Sequence, residues 1–348
     1  MGQAVSGVSG FADLIDLVSS RLGGRAVACS DDFFASMDNL VTPERAVFIP
    51  GKFTERGKWM DGWESRRKRV PGHDWCVLAL GRPGIIRGVN VDTGCFKGNQ
   101  PEACTLEAAE LPEGAGDADA LAPGVRWVDV IPRTVLAPDS EHLIEAIAAV
   151  KDRRFTHVRL NIFPDGGVAR LRVHGEVLPD WEAIRRKGDP VDLASAANGG
   201  LVIACNDMHF GSRHNLITPG RAANMGDGWE TRRKRGLKGG EYDWCVVRLG
   251  RRGVVSKVEV DTNHFKGNFP ESCAIEAWDG VSEPVGNQLS AEAGWKPLLA
   301  RTKLAADTRH FFEKELSGGG KGVECTHVRL RIFPDGGVSR LRLHGVPA

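Results

Sequence analysis

The chain has 348 residues, with 46 Lys plus Arg against 45 Asp plus Glu, so no overall field draws it to nucleic acid or to an acidic membrane. That length serves two domains, each with a core of its own. No apolar run approaches the ~18 residues of a spanning helix, and Asp13 and Asp16 interrupt the N-terminal apolar patch, so a cytoplasmic protein without a secretion signal is expected.

In chain order, residues 13–21 read as a short helix and 26–29 as a strand. Asp61-Gly62-Trp63-Glu64-Ser65 leads into a basic cluster, Arg66-Arg67-Lys68-Arg69. Short apolar runs at 75–80 and 85–91, bounded by Gly, Pro or Asp, read as strands. Asp92-Thr93 and Phe96-Lys97-Gly98-Asn99 then have the composition of a sharply turning polar loop. Residues 141–154 read as a second helix. In 157–175, HVRLNIFPDGGVARLRVHG, alternating apolar residues flank Pro-Asp-Gly-Gly and read as a hairpin.

After a charged seam at 176–190, the same phrases return. Asp227-Gly228-Trp229-Glu230-Thr231-Arg232-Arg233-Lys234-Arg235 repeats 61–69, Asp243-Trp244-Cys245-Val246 repeats 74–77, and Asp261-Thr262 with Phe265-Lys266-Gly267-Asn268 repeats the polar loop. HVRLRIFPDGGVSRLRLHG at 327–345 repeats the hairpin. The offset between partners stays within 166 to 176 residues, too long for a solenoid repeat and right for a duplicated domain. The expected architecture is mainly all-β, two tandem antiparallel sandwiches over 1–180 (opening with a short helical segment) and 181–348.

The eight cysteines form no CxxC pair, so neither a structural zinc site nor a disulfide framework is expected. Cys76 and Cys245 sit in apolar stretches and read as small buried hydrophobes. Six histidines pair between the copies (142 with 310, 157 with 327, 174 with 344) and read as structural, whereas His73, His209, His214 and His264 have no counterpart. A single proton-moving site on a doubled scaffold breaks symmetry in this way. No nucleophile elbow, P-loop, dinucleotide fingerprint or HExxH occurs. No cofactor is expected, although Asp207 and His209, with His214 five residues on, leave one divalent metal open. The basic clusters suit bidentate capture of a small carboxylate better than a nucleic-acid face.

SDDFF (30–34), GKWMDGWESRRKR (57–69), HDWCV (73–77), NMGDGWETRRKR (224–235), VDTNHFKGNFPESC (260–273) and the two HVRLxIFPDGG phrases resemble the allantoicase family over about 16–345. The resemblance implies paired jelly-roll, galactose-binding-like sandwiches and homo-oligomers. It also implies hydrolysis of a small-molecule substrate, allantoate, to ureidoglycolate and urea in purine (allantoin) degradation. Cys95 stands where the second copy has His264, and Gln100 where it has Phe269, which favours a site in the second copy.

For that reaction, the expected acid/base is His264, with Asp261 or Glu230 orienting it or accepting the water proton. Arg232 and Arg233 are expected to clamp the carboxylate and Asn268 to hold a ureido arm, with Lys266, Trp229 and Asp227 completing the substrate site. Two alternatives compete: a lectin-like module that only binds, disfavoured by the clustered Glu and Arg, and a metal-dependent amidohydrolase that releases ammonia, disfavoured by the lack of paired His/Asp motifs.

Overall fold

A computed structural model describes residues 6–7, 10–236, 238–280, 282–318 and 322–348. The chain divides into two units, 10–178 and 179–348, the second also taking Ser6–Gly7.

In the first unit one 19-residue strand, Asp74–Asp92, organises the sandwich. Its N-terminal half lies antiparallel between Arg25–Cys29 and Arg154–Phe163, with Cys76 opposite both Cys29 and Leu160. Its C-terminal half lies between Arg170–Val177 and Glu141–Glu145, with Asp92 opposite Arg170 and Glu141. Ala103–Ala109 and Val128–Val135 extend the first sheet, and Ile15–Asp16 edges the second. One strand therefore serves two sheets, which close on a core of Cys76, Leu78, Val89, Val91, Leu106, Val158, Leu160, Leu171 and Val173, all fully buried. Each such side chain contributes roughly 1.5–3 kcal/mol. The strand changes sheets around Gly81, where a Cβ would lie 2.6 Å from the backbone of Leu22.

The second unit repeats the plan. Asp243–Asp261 runs first between Leu201–Cys205 and Val323–Phe333, then between Arg340–Pro347 and Arg309–Phe312. Ser272–Trp278 and Lys296–Lys303 extend it. Ser6–Gly7 pairs with Ala204 and Cys205 on the outer edge. Cys245, like Cys76, is fully buried, as its apolar setting implied.

Three expectations need correction. Residues 13–21 are not a helix: two 3-10 turns, Phe11–Asp13 and Ser20–Leu22, flank the strand Ile15–Asp16, and Leu17 and Val18 are buried side by side. Residues 141–154 form the strand Glu141–Glu145 and a short turn, Ala148–Val150. There the ladder to 88–92 overrides helix propensity, and His142 locks it by accepting from Ala137 N and donating to Val91 O, both at 2.8 Å. Nor are 157–175 and 327–345 hairpins. Val323–Phe333 and Arg340–Pro347 both pair with Asp243–Asp261, so Pro334-Asp335-Gly336-Gly337 carries the chain from one sheet to the other. The one α-helix among the described residues, Trp181–Lys187, lies in the charged seam, capped by Asp180 Oδ1 on Ala183 N and ended by Gly188 at φ 73°.

Candidate active site

The crossover turn positions the repeated motif in each copy. In the second copy Gly336 O accepts from Thr231 N at 3.1 Å and Gly337 N donates to Asn268 O at 2.8 Å. Asp335 Oδ2 accepts from Lys234 N at 2.7 Å. Gly336 stands at φ 137°, and a Cβ there would meet Asn268 O at 2.7 Å, so only glycine lets the polar loop dock this closely. The docking sets Asn268 Nδ2 2.6 Å from Glu230 Oε1. The first copy builds the same pair, Asn99 Nδ2 to Glu64 Oε1 at 2.9 Å.

The polar loop itself is held by turn chemistry. Asp261 Oδ1 accepts from Asn263 N at 2.8 Å and Thr262 Oγ1 donates to Ala305 O at 2.7 Å. Phe265 is fully buried. His264 sits in the left-handed region at φ 71°, as Cys95 does at 69°, a conformation few non-glycine residues adopt. Asp307 Oδ1 fixes it by accepting His264 N at 2.6 Å.

Beside Glu230 and Asn268 opens a pocket of about 750 Å³, lined also by Arg233, Arg235, Lys303, Phe210, Glu271 and Asp335. Alternate residues of 231–235, Thr231, Arg233 and Arg235, line the pocket. Arg233 and Arg235 reach the pocket, while the Lys234 ammonium turns inward to the buried Asp243. The site thus offers guanidinium groups for a carboxylate, an amide for a ureido group and, besides exposed Glu271 and the Asp335 that caps Lys234 N, the half-buried Glu230 carboxyl for a proton.

Of the residues expected from sequence, Glu230, Asn268 and Arg233 are brought together. Arg235, Lys303 and Phe210 were missed; Arg235 had its signal in the alternation of the basic cluster, whereas Lys303 and Phe210 come from distant segments without any. The remaining expectations fall elsewhere. His264 donates from Nε2 to Ala222 O at 2.9 Å and so braces the neighbouring turn. Asp261 is fully buried and paired with Arg221 at 3.2 Å. Asp227 accepts from Arg340 Nη2 at 3.1 Å and Ala223 N at 3.0 Å. Trp229 is fully buried, its indole N–H on Asp207 O at 2.8 Å. Arg232 meets His209 Nδ1 at 3.1 Å, and Lys266 is exposed outside the pocket lining.

The loose metal grouping dissolves in the same way. Asp207 Oδ1 accepts the backbone N–H groups of His209 and Arg232. Among the described residues no three His, Cys, Asp or Glu side chains gather as a metal cage. The paired histidines serve the fold: His310 repeats the bonds of His142, to Ala305 N and Val260 O, and Thr156 and Thr326 each meet their neighbouring histidine at 2.9 Å.

In the first copy, residues 47–60 stand where the second has only 223–226. The longer segment helps enclose a different cavity, about 510 Å³, against Glu64, Asn99 and Cys95. Burial pushes the Glu64 carboxyl above the usual range, opposed by Asn99 and Lys58; burial likewise raises the Cys95 thiol, with Asp139 adding to it. The sequence carried a signal for this cavity, the step in repeat offset from 176 at Asp38 and His214 to 166 at Asp61 and Asp227.

The allantoicase-repeat profile matches residues 15–178 and 191–348. "Probable allantoicase 1" of Burkholderia mallei is 48% identical over 331 residues, 95% of this chain and 94% of that protein. "Probable allantoicase" of Pseudomonas aeruginosa is 46% identical over 97% of both. A crystal structure of allantoicase from Saccharomyces cerevisiae superposes with a TM-score of 0.79 at 33% identity, covering 98% of this chain and 100% of that one. A profile matched twice across most of the chain, and relatives this close over nearly their whole length, place the chain in the allantoicase family.

Proposed function

We propose that the chain hydrolyses allantoate to ureidoglycolate and urea in purine degradation, and that the second copy's pocket is where it does so. The observation that carries the placement is the Glu230–Asn268 pair at 2.6 Å on the wall of a cavity that also presents Arg233 and Arg235.

Allantoate carries its carboxylate on a carbon bearing two ureido groups, and a ureido nitrogen leaves poorly without a proton. Arg233 and Arg235 hold the carboxylate, and Asn268 holds a ureido arm while fixing one oxygen of Glu230. Glu230 gives the departing nitrogen its proton as the C–N bond breaks. The lone pair of the remaining ureido nitrogen forms the C=N bond of an iminium ion. Water then adds to that carbon and returns a proton to Glu230, so the enzyme emerges unchanged. His264 acts at one remove by bracing the turn through Ala222.

Urea release from allantoate by the purified chain tests the reaction, and its loss in Glu230→Gln tests the placement. Urea formation undiminished in that variant overturns the second-copy site. The steps use the chain's own side chains, so a chelator is expected to leave the rate unchanged; ammonia in place of urea would favour the amidohydrolase alternative. A cytoplasmic homo-oligomer, acting on a small molecule without nucleic-acid or membrane partners, goes with this reading. Its balanced charge goes with the absence of nucleic-acid and membrane partners, and light scattering on the purified protein tests the assembly.

A further inference from the structure

We propose that the first copy's cavity is a second ligand site, taking a small carboxylate that carries a ureido or amide arm. The choice of ligand class rests on the function proposed above; the site itself rests on how the two copies differ.

Both copies keep the amide–carboxyl pair, Asn99 with Glu64 and Asn268 with Glu230, but present it to different concavities. In the second copy the short 223–226 turn brings Met225 Sδ to 3.6 Å from Asn268 Nδ2, and the pocket opens on the side of Arg233 and Arg235. In the first copy the cavity opens instead toward the inserted 47–60 segment, which supplies Phe48, Lys58 and Met60. Its volume, about 510 Å³, is ample for a ligand of allantoate's size.

The charges in that cavity suit a monoanion. Lys97 is already paired with Asp139 at 3.0 Å. Lys58 has no ion pair among the described residues, and its ammonium stands 4.5 Å over the Phe48 ring, which leaves it as the cation for an incoming carboxylate. Asn99 offers both a donor and an acceptor to a ureido arm. Glu64, with one oxygen held by Asn99 Nδ2, offers its carboxyl oxygens to the N–H groups of a ureido arm. The Phe48, Phe34 and Met60 side chains form the apolar walls.

Calorimetric titration of the full chain with ureidoacetate tests the site. This probe has the carboxylate and one ureido arm but lacks the second ureido nitrogen that drives cleavage, so it binds without turnover. Two binding events per chain are expected, one weakened about tenfold by Lys58→Ala, the loss of a single charge-assisted contact, and the other weakened by Glu230→Gln. Asn99→Ala is expected to act on the same event as Lys58→Ala, and a thermal melt accompanies each variant. A single event, or two events that neither Lys58→Ala nor Asn99→Ala changes in a folded protein, overturns the proposal. Urea release is measured separately. Two events with no urea sink the proposed reaction and leave this site standing, and one event with normal urea release sinks this site alone. Loss of urea release in Lys58→Ala but not in Glu230→Gln supports this site and moves the reaction into it.

Discussion

Glu230 and His264 make opposite claims on the proton. Glu230 lies on the pocket wall with one oxygen held by Asn268, whereas the His264 ring is committed to a backbone carbonyl. Glu230→Gln keeps the shape and the amide contact but removes the transferable proton. It is expected to lower kcat by about two to four orders of magnitude. His264→Ala removes only a brace, and a kcat within about tenfold of the wild type is expected. Steady-state urea release from both variants decides between them; a larger loss in His264→Ala returns the acid/base role to the histidine. Arg233→Ala is expected mainly to raise KM, by about tenfold, because the carboxylate is held alike in substrate and transition state. At this scale the residues expected from sequence divide between those the fold brings to the pocket and those it ties into the loops behind it. Trp229 and Asp227 belong to a motif kept in both copies, yet each is buried in bonds that hold the loops. Repetition marks the fold's needs as strongly as the reaction's, and only coordinates separate the two.

Among the elements, the crossover turn does the most to shape the site. In both copies its second glycine leaves room for a buried aromatic ring: a Cβ on Gly167 would stand 1.9 Å from Phe96, and one on Gly337 1.9 Å from Phe265. Gly337→Ala therefore forces the ring and the polar loop to move, an overpacking of about 1–3 kcal/mol. A lower melting temperature with weakened activity is expected, since Asn268 rides on the same loop; an unchanged melt would show the ring has space to retreat. The strands of this sandwich were legible from apolar runs between Gly, Pro and Asp. Their partners were not. Alternation on both sides of Pro-Asp-Gly-Gly looks the same whether the strands pair with each other or with a third one. Likewise the 141–154 stretch has helix-forming residues, and the ladder to 88–92 makes a strand of its first five, Glu141–Glu145.

Across the whole molecule the duplication was plain in the repeated phrases, and it extends to titration behaviour. His157 and His327 occupy matching places, 7% and 4% exposed. Burial holds both rings below the usual histidine range. Around His157, Arg25 adds to the effect and Asp117 opposes it; around His327, Glu283 opposes and Arg248 adds. The folded chain keeps these rings neutral where the unfolded chain takes up protons. The unfolded state therefore binds more protons below its own histidine value near 6.5, and stability falls as pH drops through that value toward the lower folded one. Above it both states are neutral and the contribution is flat. The wild type is expected to lose a few degrees of melting temperature between pH 7.5 and 5.5, roughly 2–4 °C for each kcal/mol in a unit of this size. His157→Gln with His327→Gln is expected to lose less over the same interval, because glutamine takes no proton in either state. Thermal melts of both proteins at the two pH values check this, and equal losses would place the acid sensitivity in the carboxylates instead.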